Sequence, residues 1–202
     1  MNHQEIESKF YVNDLKRLEA RLLELGAALI QPRVHESNIR FDLPDESLRA
    51  ESRVLRLRRA DDVRLTYKGQ GKSINGVLAR DEIEFTVGDF ETARQFLEAL
   101  GYAQIAVYEK FRATYQLDET QVMLDELPFG DFVEIEGPGV DSIRLTATRL
   151  GLDFDAAVDA GYLTLHKRIS ATRQLDPAKL TIAALEGFRP YPEKMGVRPA
   201  DA

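Results

Sequence analysis

The 202-residue chain contains no cysteine. A disulfide framework and a thiolate zinc site are therefore excluded, and the expected compartment is the cytoplasm. Histidine is scarce as well. His3, His35 and His166 are scattered with no metal-ligand spacing between them, so each is read as structural or incidental. No stretch approaches the roughly 18 apolar residues of a membrane span, and the opening MNHQEIESKF lacks the apolar core of a secretory signal. The chain also lacks an overall basic field. Its net charge is -7, so any contact with a polyanion has to come from a local cluster of Lys and Arg, and duplex nucleic acid is not an expected partner.

What is present suits one folded domain, since 44% of the residues are hydrophobic and can supply a core. Eight segments alternate polar or charged residues with apolar ones: near 4–12, 37–43, 53–59, 62–69, 79–87, 107–117, 120–126 and 131–137. Period-two alternation with short polar turns predicts an antiparallel sheet. Asn13 is the expected cap of a helix carrying Leu15, Leu18, Leu22 and Leu25 that stops at Gly26. Asp89 is the expected cap of another, with Phe90, Ala93, Phe96 and Leu100, that stops at Gly101. A third is predicted over about 141–150, with helical turns near 153–168 and 177–186, and the Pro-rich tail from Pro190 reads as loose.

Glu5-Ile6-Glu7, Glu82-Ile83-Glu84 and Glu134-Ile135-Glu136 each precede a helix closing in glycine, which reads as a recurring strand-then-helix unit. Residues 69–78 read as a mobile connection. The run Gly69-Gln70-Gly71-Lys72-Ser73 ends like a phosphate-binding P-loop, but Thr66 stands where its first glycine belongs and no helix follows, so that motif is set aside.

Residues two apart on a strand share a face, about 6.5–7 Å from one another. Glu5, Glu7 and Lys9 therefore point together, as do Arg56 with Arg58, and Arg64 with Lys68. Arg80, Glu82 and Glu84 form another such set, followed by Lys110 with Arg112, Asp125, and Glu134 with Glu136. Apolar residues such as Leu55, Leu57, Leu65, Ile83, Phe85, Val133 and Ile135 take the opposite faces. Two readings fit the alternation. In one, the charged face of an open sheet meets water. In the other, the sheet closes into a barrel and both signs of charge converge in its lumen, which is costly unless a ligand requires it. Arg and Lys suit phosphate oxygens there, and carboxylates suit Mg²⁺ or Mn²⁺, which share oxygen ligands with substrate phosphates.

In sequence, Glu5-Ile6-Glu7-Ser8-Lys9 is followed by Leu55-Arg56-Leu57-Arg58, Thr66-Tyr67-Lys68-Gly69 and Glu82-Ile83-Glu84. Glu109-Lys110-Phe111-Arg112, Leu124-Asp125 and Gly130-Asp131-Phe132-Val133-Glu134-Ile135-Glu136 complete the series. This order of motifs resembles the CYTH superfamily, the triphosphate tunnel metalloenzymes, whose members include class IV adenylate cyclases and thiamine triphosphatases. The resemblance implies an α+β fold: an eight-stranded antiparallel β-barrel with helices packed outside. Residues 1–168 would form the tunnel domain, and 169–202 a helical extension with a loose tail. Lys9, Arg56, Arg58, Lys68, Arg80, Lys110 and Arg112 would hold the substrate, with Lys9, Lys68 and Arg112 acting in catalysis. Glu5, Glu7, Asp125, Glu134 and Glu136 would be metal ligands; Glu82, Glu84 and Arg40 are left open. The end Gly161-Tyr162-Leu163-Thr164-Leu165 departs from the family's Ser-Tyr-x-x-Leu-Leu, which leaves the part of Lys167 and Arg168 open.

The activity expected is metal-dependent hydrolysis of tripolyphosphate or an organic triphosphate such as thiamine triphosphate. Conversion of ATP to cyclic AMP is the alternative, and a non-catalytic polyphosphate or nucleotide binder a third. A homodimer is left open.

Overall fold

The computed structural model describes residues 3–171 and 174–202. Ten strands form in chain order. They are β1 His3–Val12, β2 Ala28–Asp42, β3 Val54–Arg59, β4 Val63–Lys68, β5 Lys72–Ile74, β6 Val77–Thr86, β7 Ala103–Leu117, β8 Thr120–Leu127, β9 Gly130–Glu136 and β10 Lys179–Leu180. Eight of them close a ring in the order β1-β9-β8-β7-β2-β3-β4-β6, with β6 returning to β1, and every pairing around it is antiparallel. The fold is α+β: an eight-stranded antiparallel barrel with its helices outside. Closure leaves the ring no free edge and gives each strand one face toward a lumen and one toward the exterior.

The helices are α1 Leu15–Glu24, α2 Ser47–Ala50, α3 Phe90–Ala99, α4 Val140–Arg149, α5 Tyr162–Ser170 and α6 Pro192–Met195. α1 and α4 bury Leu18, Leu22, Ile143 and Ala147 against the outward apolar residues Phe10, Val133 and Ile135, which are almost wholly removed from water. The α1 cap is Asp14, one residue beyond the expected Asn13: its carboxylate accepts from Arg17 N at 2.9 Å. α3 turns Ala93 and Leu97 onto the barrel near Leu55 and Leu57, leaving Phe96 and Leu100 exposed. Ile83 and Phe85, expected under a helix, also face out uncovered.

Three further expectations are corrected. Residues 69–78 are a paired hairpin rather than a mobile connection: β5 pairs with β6 through an Asn75-Gly76 turn, both residues at positive φ as a two-residue hairpin requires. Ser8 Oγ donates to Gly76 O at 2.7 Å and pins this turn to β1. Residues 177–186 are turns and the short β10, which adds parallel to β7 at Val107 and Tyr108, instead of a helix. The tail is packed: Met195 and Ala200 are buried, and the buried Asp201 carboxylate accepts from Asn13 N at 2.8 Å and Asp14 N at 3.0 Å. β2 and β7 begin well before the predicted 37 and 107. The added part of β2 is mostly exposed, contains Pro32 and is broken by register shifts, so it lacks the alternation that marks a strand.

Candidate active site

The lumen is a cavity of about 1490 Å³, larger than most small-molecule sites. All fifteen sequence-nominated residues except Asp125 line it; Asp125 lies fully buried behind the lining. The three Glu-Ile-Glu segments, far apart in sequence, sit on adjacent strands β6, β1 and β9. Glu5 is in register with Arg80, Glu7 with Glu136, and Lys9 with Glu134.

One part of the lumen is densely paired. Arg112 forms a fork on Asp125, Nε to Oδ1 and Nη2 to Oδ2, both at 2.6 Å, and also contacts Glu134. Lys110 Nζ donates to Asp125 Oδ2 at 2.8 Å, and Lys9 Nζ reaches Glu134 Oε1 at 3.0 Å. Despite burial, which acts upward, Lys9, Arg112 and Lys110 hold the Glu134 carboxyl well below its usual range. Tyr162, from the start of α5, completes the group: its hydroxyl donates to Asp125 Oδ2 at 2.7 Å and Lys9 Nζ lies 4.2 Å from its ring centre.

The β3–β4–β6 wall forms a second network. Arg56 reaches Tyr108 at 3.3 Å, Thr66 at 3.2 Å and Glu84 at 3.4 Å. Arg64 donates to Glu84 at 2.8 Å and Arg58 lies 3.6 Å from it, so Glu84 is committed to cations and its carboxyl is lowered. Lys68 meets Glu5 at 2.5 Å and Glu82 at 3.3 Å, and Arg80 meets Glu5 at 2.8 Å. These contacts outweigh burial and bring the Glu5 carboxyl down to about 2.

Glu7 and Glu136 differ. Glu136 forms no ion pair among the described residues, and Glu7 has a single 3.4 Å contact, to Arg80. Burial raises both carboxyls. Glu134 and Glu5 add repulsion at Glu7, and Glu5 and Glu7 do so at Glu136, which is pushed up to about 7. No three His, Asp or Glu side chains among the described residues are grouped as a metal site. Two opposed carboxylates short of positive charge nevertheless fit a hard divalent cation, which ordinarily takes one or two protein carboxylates and completes its shell with water and substrate phosphate.

Four polar residues at or behind the lumen wall stand outside the nominated set: Tyr108 and Tyr162 line the cavity, whereas Glu36 and Asn38 lie buried behind the lining. Glu36, almost fully buried, lies 3.4 Å from Arg58 and 3.7 Å from Lys110, and these cations with Arg112 bring its carboxyl to about 2 against the upward push of burial. Asn38 is fully buried with neither amide atom hydrogen-bonded, and Tyr108 and Tyr162 bond Arg56 and Asp125. Glu36 and Asn38 share parity with Arg40, so starting β2 earlier would have found Glu36. Lys167 lines the cavity, Arg168 instead donates to Met195 O at 2.6 Å, and Lys72 is not in the lining. His166 is buried, stacked on Phe129 with centroids 6.4 Å apart, and burial lowers its pKa; the side chain of His3 lies outside the described part.

Residues 3–147 match the family model described as the CYTH domain. A protein of Methanocaldococcus jannaschii named as an adenylate cyclase is 30% identical over 134 residues, 65% of this chain and 75% of its own. The adenylate cyclase CyaB of Aeromonas hydrophila is 27% identical over 173 residues, covering 80% of this chain and 87% of that one. The solved structure of a Hippeastrum protein named as an adenylyl cyclase and described as revealing a dominant triphosphatase activity superposes with a TM-score of 0.58 at 17% identity, over 80% of this chain and 94% of that one. No helix among the described residues is long and apolar enough to cross a membrane.

Proposed function

This chain belongs to the CYTH family, and on that premise we propose that it is a divalent-metal-dependent triphosphatase acting on tripolyphosphate or an organic triphosphate such as thiamine triphosphate. One observation carries the reading: a closed lumen lined by Lys and Arg that also contains an opposed carboxylate pair, Glu7 and Glu136, short of counter-charge. Glu7 and Glu136 would hold the cation, with Glu5 and Glu134 beside them. Mg²⁺ or Mn²⁺ held there would neutralise phosphate oxygens and lower the pKa of a coordinated water.

The protein's own groups do the rest. Lys110 and Arg112 are fixed by Asp125, and Lys9 by Glu134, so their positive charge is in place before the substrate arrives and costs no reorganisation as charge shifts in the transition state. Arg56, Arg58 and Lys68 supply the opposite wall, against which the chain of phosphates is oriented. Tyr162 covers Lys9 and keeps bulk water from that ammonium.

A second reading, cyclisation of ATP, is favoured by the names of the Methanocaldococcus and Aeromonas relatives. There a ribose 3′-hydroxyl replaces water and attacks the α-phosphorus, releasing pyrophosphate. Incubation of the protein and Mg²⁺ or Mn²⁺ with tripolyphosphate, thiamine triphosphate and ATP, with separate detection of orthophosphate and cyclic AMP, decides between them. Orthophosphate release is expected. Cyclic AMP with pyrophosphate would replace hydrolysis by cyclisation, and no turnover of any of the three would leave only binding.

A further inference from the structure

Two tyrosines line the lumen, and their hydroxyls are committed differently. Tyr162 donates to Asp125 Oδ2 at 2.7 Å, so its proton is taken. Tyr108, on β7, is only 8% exposed, and its ring is held in the apolar cluster that contains Leu127, Phe132, Tyr162 and Leu165. Its oxygen accepts from Arg56 Nη1 at 3.3 Å, and its own proton has no acceptor among the described residues. Arg56 from β3, Arg40 from β2 and Lys110 from its own strand face it. The carboxylates nearby are engaged with those cations instead, Glu84 with Arg56, and Glu36 and Asp125 with Lys110. β10 pairs alongside at Leu180 and turns Lys179 to Asp176, while α5 contributes Lys167 to the lining. Burial pushes the Tyr108 phenol up, but Arg56, Lys110 and Arg40 favour its ionised form and bring it below its ordinary value. Tyr11, Tyr115 and Tyr162, by contrast, are raised by burial and by neighbouring carboxylates.

A buried donor without an acceptor is costly in the protein alone, and a phosphate oxygen in the lumen removes that cost. The ring order says which oxygen. β7 stands two strands from β9 and three from β1, so Tyr108 looks across the lumen at the Glu7–Glu136 pair. In-line displacement puts the attacking and departing oxygens on opposite sides of the phosphorus. With the attacking water on the side of the carboxylate pair, a donor across from it meets the departing oxygen.

We infer that Tyr108 is a further catalytic residue, whose hydroxyl gives its proton to the bridging oxygen that leaves the terminal phosphorus. This rests on the triphosphatase reading above. The water oxygen bonds to the terminal phosphorus, the bond from that phosphorus to the bridging oxygen breaks, and the electron pair stays on the bridging oxygen, which takes the phenol proton. The attacking water loses a proton to solvent, and the phenolate, held among Arg56, Arg40 and Lys110, regains one from solvent. Orthophosphate and the shortened chain are the products.

The test is steady-state turnover of tripolyphosphate with Mg²⁺ across pH. Tyr108→Phe leaves Arg56 its bonds to Thr66 and Glu84. It is expected to lower kcat about 100-fold, within what proton donation contributes, and to change KM by less than about threefold. The phenol must be protonated to act, so kcat should fall as pH rises through its pKa. Replacement of Tyr108 by difluorotyrosine, nearly the same shape with a more acidic phenol, should therefore move that alkaline limb to lower pH. Thr66→Val removes a different hydrogen bond of Arg56 and should leave the limb in place. A shift of the same size in Thr66→Val would assign the effect to Arg56 and overturn the inference. A raised KM with unchanged kcat in Tyr108→Phe would make the phenol a binding contact alone, and an alkaline limb indifferent to the fluorines would remove it as the donor; either result overturns the inference. Normal turnover in wild type and Tyr108→Phe alike overturns the inference and leaves the triphosphatase reading standing, whereas no turnover of tripolyphosphate, thiamine triphosphate or ATP by the wild-type protein overturns both.

Discussion

The group around Asp125 and the pair Glu7–Glu136 occupy one lumen, yet they are opposites. In the first, each charge meets its complement: Asp125 takes Lys110, Arg112 and Tyr162, and Glu134 takes Lys9 and Arg112. In the second, two carboxylates face each other across β1 and β9 with almost no positive charge to offset them. The difference separates scaffold from receptor. A satisfied cluster fixes the positions of its members, whereas an unsatisfied one stores repulsion that a ligand relieves.

Breaking the satisfied cluster should have the largest effect. Asp125→Asn leaves Lys110 and Arg112 short of their buried counter-ion and is expected to lower unfolding free energy by about 3 kcal/mol, read by urea denaturation. A loss under about 1 kcal/mol would mean the cluster is less of a scaffold than its geometry implies. The receptor should respond in reverse. Glu7→Gln and Glu136→Gln are each expected to keep or raise the stability of the metal-free protein while reducing metal-dependent turnover at least about 100-fold, beyond the effect usual for outer-shell partners. Near-normal turnover in either variant would remove that residue from the cation site.

Between these extremes lies pH, where the contrast changes sign. Glu36, at about 2 in the fold against 4.5 unperturbed, stabilises the protein above pH 4.5, and that contribution is lost as pH falls toward 2. Glu136, at about 7 against the same reference, is protonated in the fold where the unfolded chain is already ionised, so stability falls as pH rises from 4.5 through 7. Metal-free melts across pH should therefore show a shallower acid-side slope in Glu36→Gln, where Glu5 and Glu134 still contribute, and a shallower neutral-side slope in Glu136→Gln, where Glu7 still contributes. Identical profiles for wild type and both variants would contradict the division. The smallest change is expected from Tyr162→Phe, which removes one of the hydrogen bonds to Asp125 and should cost about 1 kcal/mol.

Period-two alternation made the lumen legible because the barrel imposes opposite chemistry on the two faces of each strand. Parity grouped Glu5, Arg56, Lys68 and Glu134 with the charged faces, and the family resemblance turned those faces inward. Parity gives no partners, so it could not show that Asp125 is buried among cations while Glu136 is left without one. Nor could it find Tyr162, which comes from a helix, or the first part of β2, whose exposed residues include Pro32 and follow no period. The tail was misread because proline content suggested looseness, whereas one buried carboxylate, Asp201, anchors it to Asn13 and Asp14. Ile83 and Phe85 mark the converse limit: apolar alternation assigns a face but does not guarantee that a helix covers it.

The placement of β1 bears on how the chain is made. It precedes the other strands of the ring in chain order, and its two neighbours are β6 and β9, while Lys9 O and Tyr11 O wait for the amides of Val158 and Ala200. During vectorial synthesis β1 therefore has no ring partner until residues 77–86 appear, and its carbonyls at Lys9 and Tyr11 are not satisfied until residues 158 and 200 have emerged. Ring closure is governed by contacts of long sequence separation, which makes folding slow and leaves an unpaired strand exposed to other nascent chains. The many charged residues of β1 then serve a second purpose, since a strand bearing Glu5, Glu7 and Lys9 is a poor template for aggregation while it waits.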